Sequence, residues 1–172
     1  MGHRIFLLGF MGCGKSWWAV RLAERLEIPA RDLDVLIEQE EGLSISDIFS
    51  QHDESYFRDS EARCLRQTVR WPDLVLATGG GTPMFYDNMC WMNDTGITIF
   101  LDPPAAVLTE RLREETGLRP LLSGVKSSDL QLFIEQKLAE RRPVYEQARI
   151  VLRGVQGPTF EDQLLKAVAQ NR

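Results

Sequence analysis

The stretch Gly9-Phe10-Met11-Gly12-Cys13-Gly14-Lys15-Ser16 satisfies the pattern G-x-x-x-x-G-K-[ST]. Its flanks supply the setting that the pattern needs. The apolar run Ile5-Phe6-Leu7-Leu8 precedes it, and residues 16–26 follow with apolar side chains at helical spacing. Strand, glycine-rich turn and helix N-terminus, in that order, make a phosphate cradle. The glycines let successive backbone N–H groups curl around phosphate oxygens, where a Cβ would block the approach. The helix N-terminus adds a favourable field for the anion. Lys15 is placed to reach the transferred phosphoryl group, and the Ser16 hydroxyl to ligate Mg²⁺. The chain is therefore expected to bind a nucleoside triphosphate, with Gly12, Cys13, Gly14, Lys15, Ser16 and Trp17 on its phosphate side.

A length of 172 residues suits one domain with a substantial core. A hydrophobic content of 44% with 26% charged residues is that of an ordinary globular protein. The net charge of −5 argues against a nucleic-acid-binding surface, which is normally basic. No apolar run approaches a membrane span, and no signal peptide is expected ahead of the first strand. Cys13, Cys64 and Cys90 are odd in number and widely spaced, which suits a reducing cytoplasm better than a disulfide framework or structural zinc. Cys13 reads as a small filler within the loop.

Short apolar runs at 4–8, 74–77, 97–101 and 150–152 read as buried strands, and a weaker one ends near Arg31-Asp32. Helical patterns lie between them, at 16–26, 34–41, 46–49, 54–70, 84–93, 104–114, 128–147 and 159–169. Alternating strands and helices imply an α/β fold with a parallel sheet covered on both faces. Loops at the carboxyl edge of such a sheet carry the chemistry. The phosphate loop, Asp32-Leu33-Asp34 and Gly79-Gly80-Gly81 all follow strands. Three consecutive glycines cost backbone entropy, so they mark a place where the chain approaches something closely. Neither N-K-x-D nor D-x-x-G occurs, which sets GTPases aside.

Further motifs are specific in order and spacing: Asp32-Leu33-Asp34, Phe57-Arg58 with Glu61, the triple glycine, Arg119-Pro120-Leu121-Leu122, and Arg141-Arg142-Pro143-Val144-Tyr145. With these in place the chain resembles the shikimate kinases over nearly its whole length. The resemblance implies a three-layer P-loop NTPase-type fold on a parallel five-stranded sheet, like the nucleoside monophosphate kinases, with a mobile lid. It implies a single kinase domain over 1–172, with the phosphate loop at 9–16, an acceptor-binding region at about 32–61 and a lid at about 114–127. The implied reaction is ATP- and Mg²⁺-dependent phosphorylation of the 3-hydroxyl of shikimate, by a cytoplasmic monomer without nucleic-acid or membrane partners. Two rivals stand beside it: a gluconate-kinase-like enzyme and a non-catalytic nucleotide-binding module.

Asp34 is expected to receive the proton of the attacking hydroxyl and to stay ionised near Lys15 and Mg²⁺. Asp32 is expected to hold a magnesium-bound water, and either aspartate could cap the following helix. By resemblance, Arg58 and Arg141 clamp the acceptor carboxylate, a task for which the guanidinium fork is suited and lysine is not. Arg142 is a rival to Arg141. Glu61, three residues beyond Arg58 on the same helix face, would steady it. The same resemblance implies that Gly79, Gly80 and Gly81 line the acceptor site, with Gly80 offering its N–H, and Phe49 and Phe57 resemble the family's pocket walls. Residues 114–127 lack clear periodicity, as a closing lid would, and Arg119 within them would neutralise β- and γ-phosphate charge. Arg111 and Arg113 are both candidates to stack on adenine, with the 153–158 turn on its other face. Trp17-Trp18 stands where the family commonly has a small or hydroxylated residue, and both rings are expected to pack under the sheet edge.

Overall fold

The structure, a computed structural model, describes residues 4–113, 122, 124–154 and 159–171. The four apolar runs form strands β1 (Arg4–Leu8), β3 (Leu74–Ala77), β4 (Ile97–Asp102) and β5 (Ile150–Arg153). The short β2 (Ala30–Asp32) joins them. All pairings are parallel, and the sheet order is β2-β3-β1-β4-β5. The central strands are predominantly hydrophobic because both faces of the sheet are covered. Alternate residues of each strand divide between two cores. Ile5, Leu7, Ile99 and Leu101 pack with α1 (Lys15–Leu26), α6 (Ala105–Arg113), α7 (Leu130–Tyr145) and α8 (Phe160–Gln170). Phe6, Leu8, Leu76 and Phe100 pack with α2 (Leu33–Glu41), α3 (Ile45–Gln51), α4 (Glu54–Gln67) and α5 (Asn88–Thr95). The result is the expected three-layer α/β architecture.

Three helices depart most from their expected bounds. The helix expected over 54–70 ends at Gln67 and tightens into a 3-10 turn at Thr68–Arg70, its Thr68 hydroxyl bonding back to Leu65 O at 2.6 Å. The pattern at 84–93 spans two pieces, a 3-10 turn at Thr82–Met84 and α5. Tyr86 between them has φ 51°, which no helix continues through. The helix expected over 128–147 is α7, which starts two residues later and stops at Tyr145; Pro143 lies inside its last turn.

Register brings the functional loops together. Leu7 pairs with Ala77 and Ala77 with Asp32, so the segments after β1, β2 and β3 leave the sheet side by side. Thr78 ties the edge, its N–H and its hydroxyl both donating to Leu7 O at 3.2 and 3.0 Å. This is the carboxyl-edge crevice where open α/β sheets bind ligands.

Candidate active site

The phosphate loop folds as its glycines require. Gly14 caps α1 with φ 94°, a left-handed conformation that a β-carbon makes costly. Lys15 Nζ donates to the loop's own carbonyls, Gly9 O at 2.8 Å and Phe10 O at 3.0 Å. Its ammonium is thus held over the cradle by the backbone it serves. Cys13 is fully buried, the small filler that the sequence suggests.

Beside the loop, Asp32 performs two tasks with two oxygens. Oδ1 accepts the Asp34 N–H at 3.0 Å and caps α2, while Oδ2 accepts the Ser16 hydroxyl at 2.5 Å. The cap fixes where Asp34 points. Gly79 marks the spot: a Cβ built there would lie 3.3 Å from Asp34 Oδ1 and 2.9 Å from Glu61 Oε1. Burial pushes the Asp34 carboxyl up from 3.8 to about 6, and Asp32 and Glu61 push the same way while Lys15 opposes them. At neutral pH the group is still largely ionised, and a base titrating this close to working pH is well matched to proton transfer.

Glu61 is buried and fully engaged. It accepts from Arg58 Nη1 at 2.9 Å and from the Thr82 hydroxyl at 2.6 Å. Arg58, three residues before it on α4, also holds Glu54 Oε1 through Nη2 at 3.0 Å and lies 4.0 Å above the Phe85 ring. A Cβ at position 81 would lie 2.9 Å from Arg58 Nη1 and Nη2, so a side chain there would push the guanidinium out of this position. The Glu54 side chain is 61% exposed, so an incoming carboxylate can displace it, whereas Glu61 stays and keeps the fork oriented.

From the opposite side α7 delivers Arg141, whose Nη1 lies 3.4 Å from Gly80 O and whose guanidinium sits over Phe10 at 5.5 Å. Among the described residues no carboxylate pairs with it. Arg142 turns away and holds Asp102 with a two-pronged contact, at 2.7 and 3.0 Å. Of the two clamp candidates, only Arg141 faces the triple glycine. Arg58 and Arg141 therefore converge on Gly80 and Gly81, next to Gly79 and Asp34 and beside the phosphate loop.

Comparison with known proteins decides between the readings of this pocket. The profile of the family described as shikimate kinase matches residues 11–169. The chain belongs to the shikimate kinase family. A shikimate kinase of Bacteroides fragilis is 43% identical over 86% of this chain and 83% of its own. The crystal structure of shikimate kinase from Bacteroides thetaiotaomicron superposes with TM-score 0.86 at 35% identity, covering 99% of this chain and 97% of that one. That of the Acinetobacter baumannii shikimate kinase in complex with shikimate gives 0.88 at 29% identity, covering 100% and 96%. The α/β fold and the enzymatic class expected from the motifs are those of this family.

Magnesium suits the oxygens that this shikimate kinase family member presents. The Ser16 hydroxyl and the Asp32 carboxylate are hard donors at one edge of the cradle. Among the described residues there is no cluster of three acidic, His or Cys side chains able to cage a cation alone. A small octahedral ion that keeps waters and shares nucleotide phosphates fits such a sparse donor set.

Some expectations are displaced and some lie outside the description. Of Trp17 and Trp18 only the second packs inward: Trp18 is 8% exposed and meets Phe160 edge-on at 4.7 Å, while Trp17 is 55% exposed beneath Arg21. Helical spacing requires this, because consecutive residues point about 100° apart. Arg111 reaches the loop, donating to Gly12 O at 2.9 Å; Arg113 ends α6. Arg119 lies outside the described residues, as do 155–158 and most of the expected lid. Within that segment Leu122 is buried in the core. Phe49 and Phe57 pack against one another in a tilted pair, with centroids 4.7 Å apart, and Phe57 also lies beneath Arg58.

Sequence reasoning gave no role to several residues that the fold places here. The Thr82 hydroxyl secures Glu61, Phe85 underlies Arg58, and Phe10 underlies Arg141. The Tyr145 hydroxyl donates to Gly80 O at 2.5 Å, and burial pushes that phenol up to about 12, so it remains a donor. Its place in the Arg141–Tyr145 motif was the available signal; the others depend on loops meeting in space.

Proposed function

We propose that this protein transfers the γ-phosphoryl group of ATP to the 3-hydroxyl of shikimate. The observation that carries this reading is the convergence of Asp34, Arg58 and Arg141 on Gly79–Gly81 beside the phosphate loop. Arg58 and Arg141 grip the ring carboxylate, which sets the orientation of the acceptor. Asp34 accepts hydrogen bonds from the acceptor hydroxyls and takes the proton of the one that attacks. Since phosphoryl transfer passes through a loose transition state, most of the rate comes from aligning acceptor oxygen and phosphorus, with charge stabilisation by Lys15 and Arg119. The Tyr145 and Thr82 hydrogen bonds hold Gly80 and Glu61 still while this happens. Mg²⁺, held by Ser16 directly and by Asp32 through water, would neutralise phosphate charge when bound.

Residues 1–172 act as one kinase domain in this reading, with residues 114–127 closing over the reactants. The protein works in the cytoplasm, consistent with free Cys13, Cys64 and Cys90. It acts as a monomer without nucleic-acid or membrane partners. Its exposed large apolar side chains, among the described residues, are scattered over several helices, and no described helix is long and apolar enough to cross a membrane. The product identifies the reaction: after incubation with ATP, Mg²⁺ and shikimate, NMR should place the new phosphate ester on the 3-oxygen. An ester on another oxygen, or none, overturns the assignment.

A further inference from the structure

The two tryptophans after Ser16 meet different fates, and Trp18 has a feature that packing alone does not explain. Its ring is clamped edge-on by Trp17 at 4.4 Å and by Phe160 at 4.7 Å. An indole N–H is a donor only, and a buried one needs an acceptor. No acceptor for Trp18 Nε1 occurs among the described residues, yet none of their buried side-chain polar atoms lacks a partner. The N–H therefore opens to solvent, although the residue as a whole is buried.

Gly14 shows where it opens. A Cβ built on Gly14 would lie 3.6 Å from Trp18 Nε1 and 3.8 Å from Arg111 Nη1. The acceptor residues occupy the other flank of the loop, where a Cβ on Gly80 would lie 3.4 Å from Gly9 O and 3.5 Å from Met11 N. With phosphates along Gly12–Ser16 and the acceptor on the Gly9 flank, the nucleoside has to leave on the flank of Trp18 and Arg111. We propose that Trp18 is a nucleotide-binding residue whose indole N–H donates a hydrogen bond to the adenosine half of ATP. The proposal rests on the ATP-dependent reading above. The clamped ring presents its donor in a fixed direction, so little side-chain freedom is lost on binding.

Trp18→Phe keeps a ring against Phe160 while deleting the donor together with part of the indole's volume, which the tripolyphosphate and Phe160 comparisons control for. Calorimetric binding is measured for ADP and for inorganic tripolyphosphate, which enters the phosphate loop but carries no adenosine. The dissociation constant for ADP should rise about three- to tenfold, the scale of one neutral hydrogen bond. That for tripolyphosphate should stay unchanged. Unchanged ADP binding, or equal weakening of both ligands, overturns the proposal. Phe160→Leu loosens the packing of Trp18 but retains its N–H, and it should weaken ADP less than Trp18→Phe does. The reverse order would show that the ring, and not the donor, is what matters. Turnover of the parent with shikimate is recorded separately, so failure of the kinase reading is told apart from failure of this contact.

Discussion

Replacing Asp34 by Asn should stabilise the protein while disabling it. In the folded chain the carboxyl titrates near 6 instead of 3.8, because burial and the Asp32 and Glu61 carboxylates disfavour its charge. A group whose folded value is raised binds its proton more tightly when folded, so ionising it costs stability. That cost is fully present above about pH 6 and fades as pH falls toward the unfolded value near 4. A shift of about two units corresponds to about 3 kcal/mol, and solvent access to this partly buried side chain brings the figure to about 1–3 kcal/mol. Asn keeps the shape without the charge. Thermal melts in EDTA, without nucleotide, should give a midpoint about 3–9 °C above the parent near pH 8. The advantage should shrink through about pH 6 and vanish near pH 4. The same variant should lose roughly 10² or more in kcat. A midpoint equal to or below the parent near pH 8, or an offset that persists unchanged to pH 4, would refute the reasoning.

Three other substitutions separate the roles assigned to this site. Lys15→Ala should abolish transfer with the fold intact, since its ammonium contacts loop carbonyls and not the core; turnover within a few-fold of the parent would contradict this. Arg58→Lys should reduce kcat/KM for shikimate by about 1.5–3 kcal/mol and leave KM for ATP nearly unchanged, because the fork and not the charge alone grips a carboxylate. Arg142→Ala should leave buried Asp102 without its two-pronged partner and cost about 1–3 kcal/mol in denaturant unfolding, with KM for shikimate little changed.

Much of the fold is legible in sequence because strands buried on both faces must be almost wholly apolar, as Ile5–Leu8 and Leu74–Ala77 are throughout and Ile97–Leu101 is but for Thr98. Strand β2 is faint since it is short and only half-covered at the sheet edge. Periodicity misreads 84–93, where a single left-handed residue, Tyr86, divides what spacing alone presents as one helix. Within the site, pairs close in sequence are readable: Arg58 with Glu61 on one helix face, Asp32 capping ahead of Asp34. Contacts made across the sheet edge are not. Nothing local tells that the Tyr145 hydroxyl will reach Gly80, or that Arg142 will leave its neighbour's side to meet Asp102.

The central claim concerns the acceptor, and ADP release tests it most directly. With ATP and Mg²⁺ present, the protein should form ADP rapidly when shikimate is added, and only at a background rate with gluconate or with no acceptor. Discrimination by roughly 10² or more is expected, because a half-buried clamp left without its matching carboxylate geometry loses more than one charged hydrogen bond. Faster ADP release with gluconate, or the same rate whether or not an acceptor is present, would contradict the account.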